Sequence, residues 1–274
     1  MIVFPNCKIN LGLRILRKRS DGYHDLETVF YPLPLYDLLE VIRSPGDDLG
    51  LSFSTSGSPI AGNNSQNLCV KAYELLQKYH HALPAAKLHL HKVIPSGGGL
   101  GGGSADAAFT LKLLNEKFDL QLTTDQLIDY ALQLGSDCPF FIINKPSFGE
   151  GRGEIIETLP LDLSPYKFII VNPGIHINTA EAFSAIIPSQ PTPSLKEIIQ
   201  QPIETWKHDL INDFEESVFR QFPEIEAIKT RLYDAGALYS SMSGTGSTVY
   251  GIFTKDTTTD HQFPSNYFLK ELNG

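Results

Sequence analysis

Three cysteines in 274 residues, Cys7, Cys69 and Cys138, are too few, too far apart and odd in number to frame a fold with disulfides. Such usage fits a reducing compartment. No apolar run is long enough to cross a bilayer. The stretch Met1-Ile2-Val3-Phe4-Pro5-Asn6-Cys7-Lys8 lacks a basic segment followed by an apolar one. A cytoplasmic protein without membrane attachment is expected. Positive charge is in deficit: 22 Lys and Arg face 31 Asp and Glu, a net charge of −9. That argues against a chain that coats nucleic acid. It also requires any polyanionic ligand to be met by local cations, not by the overall field. His89 and His91 share a strand face but have no third ligand near in sequence, so no metal site is expected. Internal repeats and coiled-coil heptads are absent too. With 42% hydrophobic residues the chain can still bury a proper core. Its length fits one large domain or two ordinary ones.

Glycine is what the sequence has in one place. Gly97-Gly98-Gly99-Leu100-Gly101-Gly102-Gly103 holds six glycines in seven residues. Before it, Lys87 to Ile94 alternates as a half-buried strand. After it, Ser104 to Leu114 is a strong helix former, with Ser104 as the expected N-cap and Ala107, Leu111, Leu114 and Phe118 on one side. Strand, glycine loop and helix start together make an anion site. Glycine lets backbone N–H groups turn to a ligand, and the helix start adds unpaired donors and partial positive charge. Phosphate is the anion most often held this way. A flexible linker fits poorly, because the loop carries leucine rather than serine and is flanked at once by structured segments. A Walker A loop is excluded, since no Gly-Lys-Ser/Thr ending is present. A dinucleotide fold would need an acid ending a second strand about 20 residues on; Glu116 and Asp119 fall in or just after the helix.

The first 19 residues alternate as a strand that places Lys8 and Asn10 on one face, either as a solvated edge or aimed at one ligand. Arg17-Lys18-Arg19 reads as a solvated face. Asp21-Gly22 turns a hairpin into 26–36, with Tyr23 and His24 just past the turn. Pro45 to Asn64 reads as a loop with a short strand at 49–53. Asn67 starts a helix, Thr123-Thr124-Asp125-Gln126 has the form of a capping box, and Gly135 ends that helix. Asp137, before Cys138-Pro139, either caps the next helix or supplies a carboxylate for chemistry. Ser147 to Gly153 reads as loop and 167–171 as a buried strand before the turn Asn172-Pro173-Gly174. Thr179 opens a helix, 188–202 is proline-rich and mobile, and 212–235 is helical. Ser240 to Ser247 reads as a second small-residue, phosphate-facing turn before a strand at 248–253.

Three pieces stand in order: Pro5-Asn6-Cys7-Lys8-Ile9-Asn10-Leu11, the 94–108 glycine loop, and Ser243-Gly244-Thr245-Gly246. This order resembles the GHMP kinase superfamily, which includes galactokinase and the homoserine, mevalonate and phosphomevalonate kinases. Lys8-Ile9-Asn10-Leu11, Asp21-Gly22-Tyr23-His24, the tripled glycines around Leu100, and Gly135-Ser136-Asp137-Cys138-Pro139-Phe140-Phe141 narrow it. They are similar to the 4-diphosphocytidyl-2-C-methyl-D-erythritol kinase family. The resemblance covers nearly the whole chain, although 184–235 and 254–274 add little.

The resemblance implies an α+β, two-domain fold with the active site in an inter-domain cleft. Residues 1–160 would form an ATP-binding domain and 161–274 a substrate-side domain. It implies ATP-dependent phosphorylation of the 2-hydroxyl of a small cytidyl diphosphate substrate, in the non-mevalonate route to isoprenoids. Lys8 and Asp137 would be the catalytic pair. Pro95-Ser96-Gly97-Gly98-Gly99-Leu100-Gly101-Gly102-Gly103-Ser104-Ala105 would wrap the ATP phosphates, with Lys92 and Asn67 on the nucleotide side. Tyr23 and Phe183 would stack on the cytosine and His24 would read its polar edge. Asn10, Phe30 and Thr179 would line the substrate pocket, with Gly244, Thr245 and Gly246 also on the substrate side. Mg2+ would be held mainly through ATP phosphates, without a protein cage. The chain would be a monomer or homodimer with no nucleic-acid partner. One departure is Ala180, where the pattern has proline after the pocket threonine. The rival expectations are another GHMP kinase, of mevalonate or homoserine type, and a non-catalytic nucleotide-binding module.

Overall fold

A computed structural model describes residues 1–45, 50–60, 62–259 and 262–274. The chain forms two compact units, each assembled from separate stretches. The first comprises Met1–Cys7, Leu35–Ser96 and Gly101–Asn144; the second comprises Lys8–Pro34, Gly97–Leu100 and Lys145–Gly274. Helices and sheets mix in both, as an α+β fold requires. Among the described residues no helix is long and apolar enough to cross a membrane.

The first unit is a four-stranded sheet with helices. Its strands run in the order Ile2–Val3, Leu38–Arg43, Ala86–Lys92, Leu51–Gly57. The first three are antiparallel, and Leu51–Gly57 pairs parallel with Ala86–Lys92. The short strand of the 45–64 region thus runs to Gly57, not Phe53; Leu49, where it was expected to begin, lies outside the described residues. The helix Gly102–Lys117 packs against Leu68–Tyr79, Thr124–Leu134 and Cys138–Ile143. Asn67 caps Leu68–Tyr79 by accepting from Cys69 N–H, and Thr123 and Gln126 close the capping box.

The second unit holds two four-stranded sheets. One runs Asn6–Lys18, His24–Tyr36, Ser147–Glu150, Ile155–Thr158, the first two strands belonging to this unit from Lys8 on and up to Pro34. The other is antiparallel throughout, in the order Tyr239–Met242, Val249–Thr254, Tyr166–Asn172, Phe268–Asn273. The helices Phe214–Gln221 and Pro223–Asp234 bring Phe214, Val218, Ile225, Ile228 and Leu232 onto a core with Ile169, Val171, Val249 and Phe253.

Three sequence expectations are corrected here. Ser147–Glu150 is strand, not loop: it pairs with both His24–Tyr36 and Ile155–Thr158, and its glycine lets it pass the Phe30 ring, which lies 2.7 Å from where a Cβ at Gly149 would be. The proline-rich stretch 188–202 contains the helix Leu195–Ile198, boxed by Ser194 and Glu197 and anchored by buried Leu195, Ile198 and Ile199. Residues 212–235 are two helices, broken where Phe222 leaves helical geometry before Pro223. Arg17 and Lys18 are exposed, as a solvated face requires, and Arg17 and Arg19 pair with Asp25 there.

Candidate active site

Strand Asn6–Lys18 places Lys8 and Asn10 on one face, as its period of two demands. Both are buried, which corrects the solvated-edge alternative. The strand edge is covered by other parts of the second unit. Lys8 N–H donates to Leu100 O at 3.0 Å, Asn10 N–H to Ser243 Oγ at 3.2 Å, and Tyr250 hydroxyl to Asn10 O at 2.7 Å. The Lys8 ammonium donates to Asn10 Oδ1 at 2.6 Å and to Gly99 O at 3.2 Å, and lies 5.4 Å from the Phe30 ring centre. Asn10 Nδ2 donates to Thr28 Oγ1, which donates to Gly12 O. The cation therefore sits in a relay of buried hydrogen bonds that fixes its position before any ligand arrives.

The glycine loop is pinned by its carbonyls. Gly98 O accepts from Thr248 N–H, Gly99 O from Ser243 Oγ at 2.8 Å as well as from Lys8, and Leu100 O from Lys8 N–H. Gly97, Gly99 and Gly101 have left-handed φ of 69°, 79° and 70°, while Gly98 and Leu100 do not. Alternation of this kind can turn successive N–H groups to one side, the geometry of anion-binding backbone. Ser240, Ser241 and Met242 belong to strand rather than to the second small-residue turn. That turn is tighter than expected and is held by Asn212, whose Nδ2 donates to Met242 O and Gly244 O at 2.7 and 2.8 Å. Thr245 is half-buried, and Gly244 and Gly246 are buried.

In the first unit the helix starts at Gly102 with Gly101 as N-cap, three residues before the expected cap at Ser104. A left-handed cap excludes serine's usual extended geometry, so Ser104 falls in the first turn, where it meets the buried Cys138 thiol. Lys92 is buried between two carboxylates, donating to Asp106 Oδ2 at 2.7 Å and to Asp37 Oδ2. Burial acts to lower the Lys92 pKa, but Asp106 and Asp37 outweigh it and hold it above the ordinary lysine value. Burial pushes the Asp106 carboxyl up to about 7; Asp37 beside it adds to this, and Lys92 opposes it. Asp137 occupies the N-cap position of Cys138–Ile143 with Pro139 in the first turn, yet its side chain makes no cap hydrogen bond. It is half-buried.

The aromatic residues gather in the second unit. His24 stacks on Phe183 with ring centres 5.2 Å apart, and Phe183 meets Phe214 edge-on. Tyr23 is exposed and carries the Arg152 guanidinium 4.9 Å from its ring centre. Thr179 is exposed at the start of the helix Thr179–Ser184. Phe30 is 2% exposed, wedged under Gly149 and Lys8.

Comparison with known proteins decides the family. Residues 67–145 match the model of the GHMP kinases N terminal domain, and 194–260 that of GHMP kinases C terminal. The 4-diphosphocytidyl-2-C-methyl-D-erythritol kinase of Bacteroides thetaiotaomicron is 55% identical over 94% of both chains. The chain belongs to the 4-diphosphocytidyl-2-C-methyl-D-erythritol kinase family of GHMP kinases. A crystal structure of 4-(cytidine 5'-diphospho)-2C-methyl-D-erythritol kinase superposes over all of both chains with TM-score 0.76 at 27% identity. The Methanococcus jannaschii mevalonate kinase shares the fold at TM-score 0.68 and 14% identity, over 94% of this chain and 92% of its own.

For this GHMP kinase the sequence reading missed several residues that support the site. Asn212 holds the second glycine turn, Arg152 faces Tyr23, and Asp37 and Asp106 hold Lys92. Their partners lie far off in sequence, so no local pattern marks them. An exposed imidazole, His176, also stands 3.7 Å from where a Cβ on Gly97 would lie.

Two predictions arise from this packing. A Cβ at Gly99 would fall onto the Ser243 carbonyl oxygen, at a φ that strains any L side chain. Strain of about 1–3 kcal/mol from the φ alone, at about 2–4 °C per kcal/mol, lowers the melting temperature of Gly99→Ala by roughly 5 °C or more. Calorimetry checks this, and an unchanged melting temperature contradicts it. The second concerns Asp106, which keeps its proton in the folded chain up to about pH 7 but loses it near the ordinary carboxyl value of 3.8 when unfolded. Its contribution to stability is complete below the unfolded pKa and is lost as pH rises toward 7. Urea midpoints at pH 4.5 and pH 8 therefore differ more in the wild type than in Asp106→Asn. Equal differences contradict the raised pKa.

Proposed function

We propose that the chain transfers the γ-phosphoryl group of ATP to the 2-hydroxyl of 4-diphosphocytidyl-2-C-methyl-D-erythritol, a step toward isoprenoid precursors outside the mevalonate route. The observation that carries it is the glycine loop, with alternating left-handed φ and its carbonyls pinned by Thr248, Ser243 and Lys8. This arrangement leaves the preorganised Lys8 ammonium beside a backbone shaped for phosphate. The family relationship supplies the acceptor.

Phosphoryl transfer depends on alignment and charge neutralisation more than on covalent help. Asp137 accepts the proton of the acceptor hydroxyl as the oxygen takes the phosphoryl group and ADP leaves. Lys8 neutralises charge that develops on the transferred group, and Asn10 holds Lys8 in place. Pro95 to Ala105 cradles the phosphates, with Asn67 and Lys92 on the nucleotide side. Tyr23, His24 and Phe183 take the cytosine, since aromatic faces offer area to a pyrimidine without many hydrogen bonds. Asn10, Phe30, Thr179 and the turn Gly244-Thr245-Gly246 form the rest of the substrate side. Magnesium suits this set because phosphate oxygens and water satisfy it, and when bound it neutralises phosphate charge. Residues 1–160 carry the nucleotide loop together with Asn10, Tyr23, His24 and Phe30 of the substrate side, and 161–274 carry the rest of the substrate side, in a cytoplasmic monomer or homodimer that binds neither nucleic acid nor membrane.

Phosphorus NMR of a mixture with magnesium-ATP tests the reaction. A new phosphomonoester forms on the branched carbon of the cytidyl alcohol, and none forms on mevalonate or homoserine. Tyr23→Ala raises KM for the cytidyl alcohol about tenfold or more, the scale of one lost aromatic contact, with KM for ATP unmoved. A phosphomonoester on mevalonate or homoserine instead overturns the assignment of substrate.

A further inference from the structure

The buried cluster of Asp37, Lys92 and Asp106 is not consumed by the chemistry above. Asp37 is 1% exposed, and Lys92 and Asp106 are each 3% exposed. Among the described residues Asp106 Oδ1 is buried with no hydrogen-bond partner, while Oδ2 takes the lysine. Ion pairs of this kind lose in desolvation much of what they gain by attraction, so stability alone is a weak reason for two carboxylates around one ammonium. Their placement offers a better one. Asp37 Oδ1 accepts from Val93 N–H at 2.6 Å and Ile94 N–H at 2.9 Å, the residues that lead into Pro95. Asp106 lies on the helix that follows the loop. Lys92 Nζ stands 2.9 Å from where a Cβ on Gly102 would lie, at the first helical residue. The entry and exit of residues 95–101 are thus tied to one ammonium.

We infer that Asp37, Lys92 and Asp106 are positioning residues that set the span of the nucleotide loop, with Lys92 acting on ATP through the backbone rather than by touching it. This rests on the kinase reading and deepens it. A cluster that sets the loop also couples its charge to the anion held there. The groups facing Asp106 are Lys92 from strand Ala86–Lys92, Asp37 ahead of strand Leu38–Arg43, and Cys69 from helix Leu68–Tyr79. Burial pushes the Cys69 thiol far above its ordinary value, so it stays neutral. Asp106 is left to titrate near neutrality, and loss of its proton adds one negative charge beneath the helix start. ATP affinity falls as pH rises past about 7.

The test is steady-state kinetics and calorimetric ATP binding on the full chain, with melting temperatures as a fold control. Asp37→Ala strips two backbone donors of their acceptor. It raises KM for ATP about tenfold or more, the scale of a lost buried hydrogen bond, with kcat at saturating ATP and KM for the cytidyl alcohol within about threefold. Asp37→Asn, which keeps an acceptor oxygen, restores most of the loss. Asp106→Asn mimics the protonated carboxyl, so its ATP affinity matches the wild type at pH 6 and exceeds it several-fold at pH 8.5. Titration of ATP itself is common to both chains and cancels. Should Asp37→Ala fail to fold, the Asp106→Asn comparison still decides. An Asp37→Ala chain in which both KM values and kcat move together, or an Asp106→Asn chain with the wild-type pH dependence, overturns the inference. A wild-type chain that does not turn over ATP overturns the kinase reading, and this inference with it.

Discussion

Asp137→Asn lowers kcat by about 10²–10⁴-fold, the usual contribution of a general base, and leaves the melting temperature within a few degrees. The two halves of that expectation have separate causes. Asparagine is as good an N-cap as aspartate, and the Asp137 side chain makes no cap hydrogen bond to lose. The helix Cys138–Ile143 keeps Pro139 in its first turn and its buried Phe140 and Phe141. The substitution leaves that packing in place. The rate is another matter, because an amide cannot take the hydroxyl proton. KM values for ATP and the acceptor stay near wild type, since the carboxylate acts in the transition state. A kcat within about tenfold of wild type removes Asp137 from the role of base.

Lys8→Met lowers kcat by about 10²–10³-fold, the scale of one preorganised electrostatic partner. Unlike the change at Asp137, it also lowers stability. Methionine fills the space over Phe30 but donates no hydrogen bond. Gly99 O keeps its bond from Ser243 Oγ, whereas Asn10 Oδ1 loses its short donor and is left with Ser243 Oγ at 3.5 Å. An unsatisfied buried acceptor costs about 1–3 kcal/mol, so the melting temperature falls by several degrees. Rates are compared well below that temperature. If Lys8 and Asp137 work on one transfer, the double variant loses far less than the product of the single losses. Multiplicative losses would place them in independent roles.

The sequence shows what local rules control. The capping box at Thr123, the cap at Asn67, the turn at Asp21-Gly22 and the strand Tyr166–Asn172 each follow from a few adjacent residues. The glycine loop and the Lys8/Asn10 face were visible for the same reason. Other features depend on distant partners. Ser147–Glu150 is a strand because it pairs with His24–Tyr36, more than a hundred residues earlier, and glycine content alone argues the reverse. Lys92 meets Asp37 55 residues away, and Asn212 reaches carbonyls 30 and 32 residues on. The helix Leu195–Ile198 did have a local signal, the Ser194/Glu197 box, which the surrounding prolines masked. Roles for Tyr23, His24 and Phe183 came from family resemblance; the structure adds the His24–Phe183 stack and the Arg152 cation over Tyr23.

The measurement that bears most directly on the central claim is ADP release with magnesium-ATP, run with the cytidyl alcohol, mevalonate and homoserine in parallel and Asp137→Ala as control. Turnover with the cytidyl alcohol alone, lost in the control, is the predicted result. Turnover with another alcohol in its place, or turnover with the cytidyl alcohol that survives in Asp137→Ala, contradicts the account.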